Sequence, residues 1–343
     1  MKNHQLRKPR IDTTKRATSP RRRLVASLSA SLLALVLLVP VQLKVRPPLL
    51  MAERFLPGAG WIEIALLAGY AALLARLLLN PARVARVRAI SWTLFSLVFF
   101  GQLLLGLLVS KTFLMTGRLH LPVPGMVPAG VIYHGRLFMV LLFTSTVLLV
   151  GPAWCSYLCY LGSWDLLAAK RKRRRPKTLP DRGHWRWATL ILVVATAAIL
   201  RWIGLGWRWA GLLGGLFGLV GLAWILSWSP KQGMMTHCVW YCPLGLLAVL
   251  LGRLSPHRIR IDPATCTDCG ACTFSCRYGA LERKDIEARK PGLSCTLCGD
   301  CLASCPHGAI GYRFAGLKPA LSHSIFVVTV AALQAVFLGL ARI

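Results

Sequence analysis

The chain has 343 residues, 55% of them hydrophobic, and its 42 Lys and Arg against 11 Asp and Glu give a formal net charge of +31. Such a composition excludes a disordered polar tail, and a soluble globule this apolar would expose large oily patches. The cations sit mostly between apolar runs, as membrane topology requires, and no aromatic interleaving accompanies the Lys170–Lys177 run, which argues against nucleic acid as the partner.

A bilayer core takes about 20 apolar residues in helical form. Runs of that kind fall at residues 24–43, 61–79, 90–110, 137–154, 186–204, 208–228 and 321–341. The first follows a long basic leader and is closed by no small-x-small cleavage site, so it is expected to be an uncleaved anchor. The second carries Glu63 and Arg76 near its ends, where snorkelling is as good a reading as function. Tyr133 and His134, with His120, open the fourth run and would suit proton acceptance from a quinol, although amphipathic residues are common at that depth anyway. Trp185, Trp187, Trp202, Trp207, Trp209 and Trp228 fit an aromatic belt. Gly214, Gly215, Gly218 and Gly221 fit close helix packing.

Orientation follows from the basic residues flanking the runs. Lys2, Arg7, Lys8, Arg10, Lys15, Arg16, Arg21, Arg22 and Arg23 stand before the first run against one acid, Asp12. Arg83, Arg86 and Arg88 follow the second, and Lys170, Arg171, Lys172, Arg173, Arg174, Arg175 and Lys177 follow the fourth. The alternate loops are poorer, holding Lys44, Arg46 and Arg54, then Lys111, Arg118 and Arg136, then Arg201 and Arg208. The N-terminus is therefore expected in the cytoplasm, with the Lys170–Lys177 run meeting anionic headgroups.

Between the sixth and seventh runs the composition changes. Residues 261–316 hold six acids (Asp262, Asp268, Glu282, Asp285, Glu287, Asp300) and six bases (Arg277, Arg283, Lys284, Arg289, Lys290, Arg313). By alternation this polar stretch faces the cytoplasm. It contains CTDCGACTFSC, with Cys266, Cys269, Cys272 and Cys276, and CTLCGDCLASC, with Cys295, Cys298, Cys301 and Cys305 before Pro306. Both read C-x2-C-x2-C-x3-C, a spacing that lets a tight loop surround a [4Fe–4S] cube and gives the fourth Cys to the other cluster. The first cluster is thus assigned Cys266, Cys269, Cys272 and Cys305, and the second Cys295, Cys298, Cys301 and Cys276. Gly270 and Gly299 sit where the backbone must turn around the cube. A zinc ribbon has no use for the third and fourth cysteines of each run, and a disulfide scaffold belongs in an oxidising compartment. The stretch resembles the bacterial-type two-cluster ferredoxin domain, with Arg277 standing where proline usually follows the fourth Cys.

The remaining four cysteines form two pairs. GPAWCSYLCYLGSWDLLA carries Cys155 and Cys159, and THCVWYCPLGLLA carries Cys238 and Cys242. An offset of 83 residues lays Cys155 on Cys238, Cys159 on Cys242, Leu161 on Leu244 and Gly162 on Gly245. On an α-helix, i and i+4 share a face, so each pair could present two sulfurs together. Four converging thiolates would select an Fe–S cluster, Zn or Cu(I). Redox-active disulfides and simple burial of small apolar cysteines are the other readings. His237, beside Cys238, ranks below the cysteines as a ligand.

Spans bearing W-C-x3-C-x-L-G and C-x3-C-P-L-G, followed by two ferredoxin runs, resemble the NapH/MauN-type membrane ferredoxins, related to the NosR and CcoG iron–sulfur proteins. The resemblance covers about residues 90–312. It implies an inner-membrane protein of bacteria that passes electrons between the quinone pool or a cytoplasmic donor and a partner oxidoreductase. The alternative it leaves is a maturation factor that reduces copper or a thiol for a partner enzyme. Tyr160 departs from the proline usual after the second Cys, whereas Pro243 keeps it. Neither a flavin-binding domain nor a C-terminal β-sandwich is evident, which favours the NapH/MauN branch.

The expected fold is an all-α polytopic membrane body with a small α+β 2[4Fe–4S] insert. Its divisions are a basic tail (1–23), a helical body (24–255), the ferredoxin unit (256–316) and a last helix (317–343). Expected cofactors are two [4Fe–4S] clusters, with a further metal or cluster at the C-x3-C pairs and a quinone as candidates. Expected partners are membrane lipid, oxidoreductase subunits and quinol. No nucleotide fingerprint or hydrolase triad is present, so an electron-transfer subunit is expected, not a stand-alone enzyme.

Overall fold

The computed structural model describes residues 19–114, 131–133, 137–171 and 183–340. The basic residues at 2–16, together with Arg118, His120, His134, Arg136 and the basic run at 172–177, lie outside the described residues.

Among the described residues, seven helical segments are long and apolar enough to cross a membrane: Pro20–Lys44 (α1), Gly60–Leu78 (α2), Val84–Leu108 (α3), Met139–Leu158, Gly183–Trp202, Trp207–Gln232 and Pro319–Leu340. The chain is a multi-pass helical membrane protein with a small ferredoxin-type unit. Helix α1 starts at Pro20, whose fixed φ suits the first helical position, behind the cap Ser19. Its Leu24, Leu28, Leu32 and Val36 recur every fourth residue and stay exposed, a lipid-facing stripe. The opposite stripe, Ala26, Ala30, Ala34 and Leu38, is buried where α1 packs on α2 and on the last helix. Small residues permit this close approach.

The fourth span is not uniform. Leu137–Val150 (α4) passes through a 3₁₀ turn at Gly151–Ala153 into a π turn at Trp154–Leu158, and the short helix Gly162–Arg171 (α5) follows. Gly183–Trp202 (α6) and Trp207–Ser227 (α7) lead to a second π turn at His237–Tyr241 and to Pro243–Leu251 (α8). Strand β1, His257–Ile261, then enters the polar unit, and β2, Ile310–Phe314, leaves it before Pro319–Leu340 (α9). The strands are antiparallel, with Ile259 opposite Tyr312 and Ile261 opposite Ile310. Period-2 alternation puts Ile259, Ile261, Ile310 and Tyr312 inward.

Two sequence expectations are corrected here. Helix α3 begins at Val84, not near 90, so Arg86 and Arg88 are helical and not in a loop. Arg88 is fully buried and paired with Asp300, which removes it from any count of loop cations. The cysteine pairs do not lie along an α-helical face but on π turns, as set out below. Glu63 accepts the Ala52 N–H at 2.8 Å and Arg76 is exposed, in keeping with the structural reading of both.

Candidate metal centres

The first ferredoxin run opens after β1 and turns at Asp268 and Gly270, both with positive φ. The second turns in the same way at Leu297 and Gly299. One pocket is lined by Cys266, Cys269, Cys272 and Cys305, with Ile261, Ile286 and Ile310 around them. Another is lined by Cys276, Cys295, Cys298 and Cys301, beside Ile259, Tyr278 and Asp300. Each run therefore places its fourth cysteine at the other run's pocket. The Ser275 and Ser304 hydroxyls, each just before a fourth cysteine, bond at 2.7 Å and tie the two runs. The pockets differ in setting: Cys269 of the first is exposed, whereas Cys301 of the second is buried.

The second pocket is pressed against the helical body. Three successive carbonyls of its loop are held by hydroxyls. Ser156 Oγ donates to Thr296 O at 2.8 Å, Tyr312 Oη to Leu297 O at 2.7 Å and Tyr157 Oη to Cys298 O at 3.0 Å. Asp300, two residues on, takes both arms of Arg88: Nε to Oδ1 at 3.1 Å and Nη2 to Oδ2 at 2.6 Å. The Arg88 guanidinium also lies over the Trp92 ring, 5.3 Å from its centroid. Arg277, the departure from the ferredoxin pattern, donates to Gly233 O at 2.5 Å and Ala169 O at 3.3 Å. It is a dock between the unit and the body that proline could not supply.

A third pocket lies inside the body and collects Cys155, Cys159, Cys238 and Cys242. Both pairs have one geometry. Cys159 N–H donates to Trp154 O at 3.0 Å and Cys242 N–H to His237 O at 2.9 Å, i→i+5 bonds that close π turns. The second cysteine then leaves the helix in extended backbone, φ −77°, ψ 119° at Cys159 and φ −74°, ψ 114° at Cys242. Tyr160 and Pro243 thus follow the same conformation, and Tyr160 stacks on Phe99 with ring centroids 3.9 Å apart. The repeated Leu-Gly has a function too. Gly245 N–H donates to Cys242 sulfur at 3.4 Å, and Leu161 and Gly162 line the pocket beside Cys159 as Leu244 and Gly245 do beside Cys242.

The turns are fixed from outside. Trp92 Nε1 donates to Cys159 O at 2.6 Å and Ser96 Oγ to Tyr160 O at 2.7 Å. Asp165 on α5 accepts from Cys238 N–H at 3.0 Å and from Ser229 Oγ at 2.5 Å. Its carboxylate oxygen, a His237 ring nitrogen and the Cys238 sulfur all lie within 4.8 Å of one another. Both carboxylate oxygens are already engaged, so Asp165 acts as the clamp of the second turn. Burial raises its carboxyl to about 6 against these bonds.

The chemistry of the donors fits iron–sulfur cubes. Each pocket offers four sulfurs. Burial pushes the thiols up, to about 12 at Cys159 and Cys295 and about 11 at Cys272, and upward also at Cys238, Cys242, Cys276 and Cys301. Metal-free, these groups would stay neutral at physiological pH; a bound metal must displace their protons. The third pocket is also lined by Trp154, Arg186 and His237, whose Nε1, Nε and Nδ1 atoms are buried without a hydrogen-bond partner. Unmet polar atoms around sulfurs are what an acceptor-rich group such as a cube with its inorganic sulfides would satisfy.

Residues 258–306 match the 4Fe-4S dicluster domain. A second family, the 4Fe-4S binding domain, matches twice, at 131–178 and 214–262. No curated protein and no solved structure matches the chain. The dicluster domain contains all four cysteines of each ferredoxin run. Each copy of the second family contains one C-x3-C pair, and the copies begin at the same offset that carries Cys155 onto Cys238. Together with the seven apolar helices, the dicluster domain and the repeated domain fit a membrane ferredoxin protein with an iron–sulfur electron-transfer role.

Reading the sequence alone missed Arg88, Asp165, Arg186 and the hydroxyls of Ser156 and Tyr157. One signal was available for Arg88 and Arg186, since a cation inside or beside an apolar run is costly and needs a partner.

The Leu-Gly glycines give a direct test of the third pocket. A Cβ on Gly162 would overlap the Trp92 indole and come within 3.0 Å of Cys155 O, and one on Gly245 within 3.1 Å of Cys238 O. Gly162→Val is expected to abolish any metal bound at the third pocket while leaving the dicluster domain loaded. Iron analysis beside the visible spectrum of the purified protein checks this; unchanged iron would mean that the turn tolerates the side chain.

Proposed function

We propose that the chain is a membrane-bound electron-transfer protein with three iron–sulfur centres in a row. Cys266, Cys269, Cys272 and Cys305 would hold the first cluster. Cys276, Cys295, Cys298 and Cys301 would hold the second, and Cys155, Cys159, Cys238 and Cys242 the third. Bound there, a [4Fe–4S] cluster supplies reversible one-electron transfer. The observation that carries this reading is the sharing of walls: Tyr278 and Thr296 line both the second and the third pocket.

The chain's own residues do three things in this scheme. The exposed Cys269 flank meets a soluble redox partner. Hydroxyls and the Arg88–Asp300 pair lock the second pocket onto the helices. The π turns bring four sulfurs into the body, away from water. The ferredoxin unit, residues 256–316, faces the cytoplasm in this proposal, because the basic segments flank the spans on that side. The setting is then a bacterial inner membrane, with the quinone pool and a partner oxidoreductase as the two ends of the path.

Iron and sulfide analysis of anaerobically purified protein is expected to give about twelve irons per chain, where two cubes alone would give about eight. Redox-titrated EPR of membranes is expected to show cluster signals that respond to added quinol. Protein devoid of iron would end the proposal. Copper or zinc at the four body cysteines would replace electron transfer by metal handling.

A further inference from the structure

Arg186 stands in the first turns of α6, between Trp185 and Trp187, and is 6% exposed. Its neighbours Trp185 and Trp187 are turned outward, 51% and 47% exposed, as interfacial tryptophans are. Arg186 instead points in. It lines the pocket of Cys155, Cys159, Cys238 and Cys242, and the thiols of Cys242, Cys155 and Cys238 are the titratable groups that face it. A Cβ built on Gly245 would lie 3.1 Å from its Nη2, so the guanidinium packs closely over the Gly245 backbone.

Three further observations bear on its role. No Asp or Glu forms an ion pair with Arg186 among the described residues, and its Nε is buried without a partner. Asp165, the carboxylate beside Cys238, is spent on Ser229 and the Cys238 backbone. Arg186 is the one Lys or Arg among the lining residues. A buried guanidinium left without an anion is strongly destabilising. Four thiolates around a cube, net negative, would answer it.

We propose that Arg186 is the built-in counter-charge of the third centre, a positioning residue that holds its reduction potential up. The inference rests on the assignment of a cluster to the four body cysteines. Reduction of that centre adds one electron, supplied through the adjoining ferredoxin clusters; no bond forms or breaks and Arg186 keeps its proton. A fixed positive charge beside the sulfurs favours the more negative, reduced form, and cluster potentials respond to net charge and to hydrogen bonds at sulfur.

The test uses the full chain in detergent, reduced stepwise with dithionite and followed by EPR, comparing wild type with Arg186→Gln and Arg186→Lys. Gln is expected to shift the third centre toward oxidation by tenfold or more at a given potential, about 59 mV for a one-electron couple. Lys is expected to shift it several-fold less. The two ferredoxin signals serve as internal controls and should not move. Should Gln prevent assembly of the third centre, retention of about twelve irons in the Lys variant supports a requirement for charge. Loss of the centre in both variants overturns the proposal in favour of a requirement for guanidinium shape. An assembled third centre with unchanged potential in Arg186→Gln overturns it while leaving the three-centre reading intact. A wild-type protein with only about eight irons fails the three-centre reading, and this proposal with it.

Discussion

Cys276→Ser is expected to remove about four irons from the interior pocket of the ferredoxin unit and to spare the outer one. Cys276 is the last cysteine of the first run, yet it lines the pocket with Cys295, Cys298 and Cys301. Serine offers a hard oxygen in place of a soft sulfur, a poor exchange for iron held among sulfides. Ala280 N–H, which now donates to Cys276 sulfur at 3.3 Å, would face a hydroxyl oxygen on a shorter bond instead. If each run held its own cube, the outer centre would be the one damaged. A water-soluble paramagnetic relaxant separates the outcomes, because the flank bearing Cys269 is open to solvent. A surviving signal that the relaxant broadens strongly supports exchange of the fourth ligands; a surviving signal immune to it refutes the exchange. Cys305→Ser should give the mirror image.

Arg88→Met should loosen the whole ferredoxin unit from the helices. The Arg88 side chain is 0% and the Asp300 side chain 10% exposed, so the pair is essentially dry. Deleting one partner of such a pair costs about 3–5 kcal/mol, chiefly by stranding the other charge. The stranded group here would be Asp300, between Cys298 and Cys301 in the wall of the second pocket. Faster bleaching of the cluster absorbance on heating, and protease cleavage near β1 or β2, are the expected readouts. The double variant Arg88→Met, Asp300→Leu should recover much of the loss, because an apolar pair of suitable size can replace a buried ion pair. A single variant that melts with wild type would show that the hydroxyl contacts alone hold the unit.

How much of this was visible in the sequence depends on the range of the interaction. The seven spans and the two ferredoxin runs are local patterns, apolar length in one case and cysteine spacing in the other. Both survive comparison with the structure and with the matched families. The offset between the C-x3-C pairs was equally local, and the repeated family match falls on it. What could not be read was how the pattern is realised. A four-residue spacing suggests an α-helical face, but Cys159 and Cys242 each end a π turn and step out of the helix. Nothing in W-C-S-Y-L-C signals the extra residue in the turn, since the turn is secured by Trp92 and Ser96 from α3. Arg88 reads as a loop cation in the sequence because its partner Asp300 lies 212 residues away. Arg277 looked like a lost proline until Gly233 and Ala169 appeared beside it. In each case a residue was misjudged because its energetics depend on an element distant in the chain.

The two π turns carry one further implication. Each contributes only half of the sulfur box, and the halves belong to hairpins made far apart during synthesis. Asp165, emerging just after the first half, has no clamp to close until Cys238 arrives. A ribosome-bound chain that has threaded only its first four spans therefore owns an unfinished receptacle. In the three-centre proposal, loading of the innermost site would then be a late event in biogenesis, one that reports that both halves have been inserted correctly.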